Sequence, residues 1–150
     1  MAVIFNQETL PALVGQSIGP GEWHEVTQER INEFARASGD FQWIHVDVER
    51  AKDGPFGTTI AHGLLTLSMI SVLNQGLFKF EGFKMAVNYG YEKVRFPSPV
   101  PVGSKLRTIA KVIDFAPAGA TFQTIIEFTV EREGSPKPAC VAQMVFRHTP

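Results

Sequence analysis

A segment of helix length without a polar face constrains this chain more than any other feature. Between His62 and Phe78, apolar residues recur on every side of a helical wheel: Leu64, Leu65, Leu67, Met69, Ile70, Val72, Leu73, Leu77 and Phe78. A helix that is apolar all round is buried inside a protein. About 15 residues span roughly 22 Å, which is too short to cross a bilayer. The segment therefore predicts a central helix that the rest of the chain surrounds.

The second half of the chain has the patterns of strands that could surround this helix. Apolar side chains recur at every second position, or nearly so, in residues 85–96, 106–115, 122–130 and 140–146. Such alternation is typical of half-buried strands. A change of phase between Gly90 and Glu92 predicts a β-bulge there. These patterns predict an α+β fold, in which an antiparallel sheet wraps around a long central helix.

Composition limits the classes of protein that this chain can represent. Its 150 residues are enough for one domain, residues 1–150, with its own core. With 14 Lys and Arg against 15 Asp and Glu, it lacks the basic excess of a nucleic-acid-binding surface. A single cysteine, Cys140, excludes an intrachain disulfide and a multi-cysteine metal site. No membrane span or targeting segment is recognisable, so we expect a cytoplasmic protein. One sheet of this size cannot cover both itself and its helix, which predicts a homodimer.

The densest group of chemically useful residues lies in the first half. Thr27 and Gly39 have the character of helix caps, which places Asp40 in the loop after a helix. His45 follows five residues later in a segment that cannot be a regular helix, so a turn can bring carboxylate and imidazole together. Their ordinary pKa values, about 3.9 and 6.5, suit proton transfer to and from a water molecule. In the alternative interpretation, Asp40 caps a turn and His45 is a core residue.

A second candidate element is the start of the central helix. Thr59-Ile60-Ala61-His62-Gly63 precedes it, and the first N–H groups of a helix lack partners and carry partial positive charge. Gly63 lets a ligand approach the backbone, so this end could hold a carbonyl oxygen as it becomes an enolate. Alternatively, Gly63 serves only close packing, and His62 is either a structural or a catalytic residue.

These segments together resemble a known family. The run Ser38-Gly39-Asp40-Phe41-Gln42-Trp43-Ile44-His45-Val46-Asp47, then Ala61-His62-Gly63, then residues 93–103 resemble the MaoC-like dehydratases, the hotdog-fold (R)-specific enoyl-CoA hydratases. The resemblance extends from about Trp23 to the end of the chain. Gln42 and Trp43 depart from the Asn-Pro that is common in the family, and this variant resembles the NodN-like branch.

The resemblance implies a function. Asp40 and His45 would hold one water against the β-carbon of a trans-2-enoyl-CoA thioester, and the Gly63 N–H would bind the thioester oxygen. The reaction is the reversible hydration of that substrate, or dehydration of an (R)-3-hydroxyacyl-CoA, and it needs no metal and no cofactor. Which of Asp40 and His45 is acid and which base stays open.

Two other functions remain as alternatives. A hotdog thioesterase would direct water at the carbonyl carbon instead. An acyl-thioester-binding or assembly protein would have no turnover, which the changed residues Gln42 and Trp43 leave open. Trp43 replaces a smaller proline between Asp40 and His45, so it is expected either to shape the acyl pocket or to pack beneath the loop.

Overall fold

The computed structural model describes all 150 residues, and its two halves differ in character. The first half holds the helices, α1 (Leu10–Leu13), α2 (Gln28–Ser38), α3 (Trp43–Val46), α4 (Val48–Ala51) and α5 (Gly63–Leu73), with three short strands, β1 (Val3–Phe5), β2 (Ser17–Ile18) and β3 (His24–Glu25). The second half holds the remaining strands, β4 (Phe78–Phe80), β5 (Met85–Arg95), β6 (Lys105–Ala118), β7 (Thr121–Arg132) and β8 (Cys140–Thr149).

Four long strands form the sheet, and all of their pairings are antiparallel, as predicted. With the short strands β2 and β3 they make six strands in all. The order is β2-β6-β7-β8-β5, with β3 also paired to β6, so that β5 lies at one edge. The register of β5 against β8 shifts between Asn88 and Gly90 and again between Tyr91 and Lys93. This irregularity confirms the predicted bulge. β1 and β4 form a separate two-stranded parallel sheet.

The central helix α5 is shorter than the sequence pattern predicted. It ends at Leu73, because the chain turns through Gly76 at φ 83° and then pairs Phe78–Phe80 with β1. Burial is also incomplete: Leu64, at the first turn, is 61% exposed. The apolar pattern therefore combined helix α5 and strand β4 into one predicted helix, and it did not show that Leu64 is exposed.

The core lies between α5 and the inner face of the sheet. Buried residues of α5 pack with buried residues of β6, β7 and β8: Leu65, Met69, Ile70, Leu73, Leu106, Ala110, Val112, Ile126, Phe128, Val130, Ala142 and Met144. Each large side chain of this kind stabilises the fold by about 1.5–3 kcal/mol relative to exposure. The sheet thus wraps the helix as predicted, and it fixes the position of the α5 N-terminus.

No helix of the chain is both long and apolar enough to cross a membrane.

The helix caps in the first half place the loop that carries Asp40. The Thr27 hydroxyl accepts a hydrogen bond from the Arg30 N–H, and α2 ends at Gly39, whose φ of 78° is left-handed. Asp47 caps α4 by accepting from the Arg50 N–H. The predicted caps at Thr27 and Gly39 are confirmed, and Asp40 lies in the loop directly after α2.

Candidate active site

Asp40 is exposed, and two hydrogen bonds to nearby residues shape the loop that carries it. Its Oδ1 accepts from the Gln42 N–H at 3.2 Å, and its own N–H donates to the Ser38 hydroxyl at 3.2 Å. These bonds turn the chain sharply into α3, which carries His45. As a result, side-chain ligand atoms of Asp40, His45 and His62 lie within 4.8 Å of one another.

His45 is buried and held in one tautomer. Its Nδ1 lies 2.7 Å from the Ile60 carbonyl oxygen. Because a carbonyl can only accept, Nδ1 carries the proton and Nε2 keeps the free lone pair in the neutral ring. Burial lowers the pKa of His45, although the hydrogen bond to Ile60 opposes that effect; the His62 ring adds to the lowering, and the Asp40 carboxylate opposes it. The neutral ring, able to accept a proton at Nε2, is therefore favoured near neutral pH.

The backbone around His45 is tied to the segment that precedes α5. The Ile60 N–H donates to the Ile44 carbonyl at 3.0 Å, so Ile60 is bonded to both Ile44 and His45. Gln28 in α2 donates to the His45 carbonyl at 2.8 Å and accepts from the buried Thr59 hydroxyl at 2.6 Å. Gln28 and Thr59 are 31 residues apart, and nothing in the sequence pattern indicated this contact.

His62 is the third ring of the cluster. It stacks on His45 with ring centroids 3.9 Å apart and an interplanar angle of 23°. Its Nε2 lies 2.9 Å from the backbone carbonyl oxygen of Asp40. The sequence pattern marked His62 only through its place before Gly63 and left its role undecided.

Gly63 begins α5 beside these side chains. The N–H groups of Gly63 and Leu64 make no hydrogen bond within the chain, and no side chain caps this end. Gly63, Ile60 and Thr66 line a cavity of about 360 Å³, with Phe96 on its wall. A Cβ at position 63 would lie 3.1 Å from the Phe96 ring, so a side chain there would have to displace that ring by a few tenths of an ångström. Unpaired N–H groups at a helix N-terminus favour an anionic oxygen.

The geometry of the cluster favours proton transfer over metal binding. A metal ion about 2.1 Å from each of two imidazoles must lie near both ring planes, since the nitrogen lone pairs point within those planes. The stacked rings of His45 and His62 have nearly parallel planes 3.9 Å apart at their centroids. They cannot both direct a lone pair at one ion.

Two further residues singled out in the sequence lie outside the cluster. The half-buried ring of Trp43 packs against Arg50, whose guanidinium is 4.2 Å from the ring centroid, and against Gly54. Trp43 is not among the residues that line the cavity at Gly63. Cys140 is fully buried, and burial raises the pKa of its thiol to about 11. It is therefore a small core residue and not a nucleophile.

Comparison with known proteins identifies the class. The model of the MaoC like domain family matches residues 9–133, and the chain belongs to that family. It is 50% identical over 140 residues to 3-hydroxyacyl-thioester dehydratase Z of Mycobacterium tuberculosis, covering 93% of each chain. It is 43% identical over 139 residues to Nodulation protein N of Rhizobium leguminosarum, covering 91% of this chain and 86% of the relative.

Solved structures support the same fold. The (R)-hydratase from A. caviae involved in PHA biosynthesis superposes with a TM-score of 0.73 at 23% identity, covering 91% of this chain and 96% of the other. The predicted hotdog fold and the resemblance to MaoC-like dehydratases and NodN are both confirmed. The chain is a member of a dehydratase and hydratase family, whose reactions are of the lyase type.

Proposed function

We propose that this protein is an (R)-specific 2-enoyl-CoA hydratase, which adds water reversibly to a trans-2-enoyl thioester. The observation that carries the proposal is that the Asp40 carboxylate lies within 4.8 Å of a ligand atom of His45, whose Nε2 is left free because Nδ1 bonds the Ile60 carbonyl. Similarity to a 3-hydroxyacyl-thioester dehydratase over most of both chains supports a thioester substrate. The stereochemistry and the CoA carrier rest on the resemblance to the (R)-hydratases.

In this proposal Asp40 and His45 hold one water molecule at the β-carbon. The water oxygen forms a bond to that carbon while its proton passes to the pair. The free lone pair on Nε2 favours His45 as the group that accepts it. The electron pair of the double bond moves to the thioester oxygen, and the α-carbon then takes a proton from the pair. One water is added overall, and the pair returns to its starting protonation.

The N-terminus of α5 would stabilise the charge that develops on the thioester oxygen. The unpaired N–H of Gly63 lines the cavity next to Ile60, the residue that also orients His45. A fixed donor at the position of a developing oxyanion commonly contributes about 3–4 kcal/mol to transition-state stability. Proton transfer and oxyanion binding would then act on the two ends of one conjugated enoyl thioester group.

Hydration of crotonyl-CoA tests the proposal, followed by loss of the conjugated enoyl absorbance and by chiral analysis of the product. We expect Asp40→Asn and His45→Gln each to lower kcat by roughly 10²-fold or more. The matched variants Asp53→Asn and His24→Gln change the same residue types outside the cluster and should keep activity. The double variant should be no worse than the poorer single one, since both groups act on one water.

The other outcomes of this assay identify the alternatives. Release of free thiol without hydration would indicate a thioesterase. A thioester that binds without any reaction would indicate a binding or assembly protein. Wild-type turnover in either Asp40→Asn or His45→Gln would refute the assignment of the pair.

A homodimer is part of the same proposal. The edge strand β5 exposes four large apolar side chains, which are Met85, Val87, Tyr89 and Tyr91. An edge strand with exposed apolar side chains can be covered by a second chain, and an identical chain offers the same surface. Sedimentation should give twice the chain mass of 16.6 kDa. A single species of 16.6 kDa at micromolar concentration would contradict it.

A further inference from the structure

We propose that His62 is a positioning residue, which holds the Asp40 loop and the His45 ring in register with the N-terminus of α5. This inference rests on the proposed hydratase function, because it concerns the same cluster. The geometry that carries it is the set of contacts that His62 makes with every part of that cluster.

The first contact ties the Asp40 loop to the core. The other hydrogen bonds of this loop join residues at most four positions apart, through Ser38, Asp40 and Gln42. The bond from His62 Nε2 to the Asp40 carbonyl spans 22 residues and is 2.9 Å long. Since the carbonyl can only accept, Nε2 carries the proton. This bond is therefore what connects an exposed loop to the start of the buried helix.

The second contact is the stacking of the His62 ring on the His45 ring, which holds His45 in its orientation. The His62 ring lies between two others: His45 stacks on it at 3.9 Å, and Phe34 of α2 packs against it at 4.9 Å and 57°. His62 also precedes Gly63 directly, and its carbonyl accepts from the N–H groups of Leu65 and Thr66. One residue thus touches Asp40 and His45 and is bonded to Gly63.

The remaining nitrogen of His62 shows that packing alone does not explain the residue. His62 is 3% exposed, and its Nδ1 is buried without a hydrogen-bond partner. A buried polar atom left unpaired destabilises the folded protein. A phenylalanine would fill the same space between Phe34 and His45 without that cost. Retention of the imidazole is explained by its Nε2–H, which phenylalanine lacks.

Two substitutions separate the hydrogen bond from the ring. His62→Gln keeps an amide N–H near the position of Nε2 but removes the ring, and His62→Phe keeps a ring but removes the donor. We expect His62→Phe to lower kcat by roughly 10- to 10²-fold with KM changed by less than about threefold, since a small misplacement of catalytic groups has this effect. His62→Gln should recover most of that loss. His148→Phe, which replaces a fully buried histidine that contacts Phe80 and Phe83 instead, should keep kcat.

Nuclear magnetic resonance of ¹⁵N-labelled histidines supplies a readout that does not depend on activity. In the wild-type protein, His62 should show the Nε2–H tautomer, and His45 the Nδ1–H tautomer. The charged groups that act on His45 are His62 and Asp40. The midpoint of the His45 titration should therefore rise in both His62 variants, which tests the contact between the two rings.

The outcomes separate this inference from the proposed function. Absence of hydration by the wild-type protein refutes the function, while the tautomers and the His45 titration still test the role of His62. Wild-type kcat in His62→Phe, equal losses of kcat in His62→Phe and His62→Gln, or the opposite His62 tautomer would each overturn the inference. If His62→Phe does not fold, the tautomer measured in the wild-type protein decides.

Discussion

Acid should destabilise this protein through a histidine outside the candidate site. His148 on β8 is fully buried among the rings of Phe80 and Phe83, with Nε2 2.6 Å from the Thr124 hydroxyl. Burial lowers its pKa from 6.5 to about 4, and its Nδ1 has no partner. In the unfolded chain His148 therefore binds a proton near pH 6.5, whereas in the folded chain it binds that proton only near pH 4. Each pH unit between these values removes about 1.4 kcal/mol, so about 3 kcal/mol is lost in all.

The sign and the assay follow from this difference. Stability from the neutral ring is fully present above pH 6.5 and is lost as the pH falls toward 4. Urea unfolding at several pH values from about 7.5 to about 4 measures the slope. In His148→Phe the slope over this range should flatten, whatever the stability at neutral pH. His24→Gln, on the partly exposed strand β3, should retain the slope. Equal slopes in His148→Phe and the wild-type protein would refute the reasoning.

Three further predictions concern the candidate site. Trp43→Ala should lower the free energy of unfolding by about 2 kcal/mol, because the ring is only half-buried against Arg50 and Gly54, and should leave unchanged the ratio of kcat/KM for four- and eight-carbon substrates. Gly63→Ala should change stability by less than about 1 kcal/mol but lower kcat/KM at least tenfold, since the methyl group enters the cavity beside Phe96; calorimetry with the hydration assay tests both. Thr59→Val should lower kcat with little change in KM, because Gln28, which donates to the His45 carbonyl, loses its hydrogen bond from Thr59. A wild-type kcat would contradict this.

The features predictable from the sequence were those set by local rules. Alternation along β7 and β8, the caps at Thr27 and Gly39, and the bulge in β5 each depend on neighbouring residues, and each was found. The end of α5 was not, because Leu77 and Phe78 are as apolar as the helix before them. Only the pairing of Phe78–Phe80 with β1, more than 70 residues away in the chain, turns that segment into a strand.

The candidate site likewise combines a feature set by neighbouring residues with contacts between residues far apart in the chain. Asp40 and His45 are five residues apart, so a turn was enough to suggest that they meet. The proton on His45 is placed by the Ile60 carbonyl, 15 residues away, and the Asp40 loop is held by His62, 22 residues away. Residue types alone therefore left open which nitrogen of His45 carries the proton in the neutral ring. The fold removes that choice, since a ring that donates from Nδ1 to a buried carbonyl can accept a proton only at Nε2. An aspartate and a histidine in one turn can serve as the proposed acid–base pair only because these backbone contacts orient them.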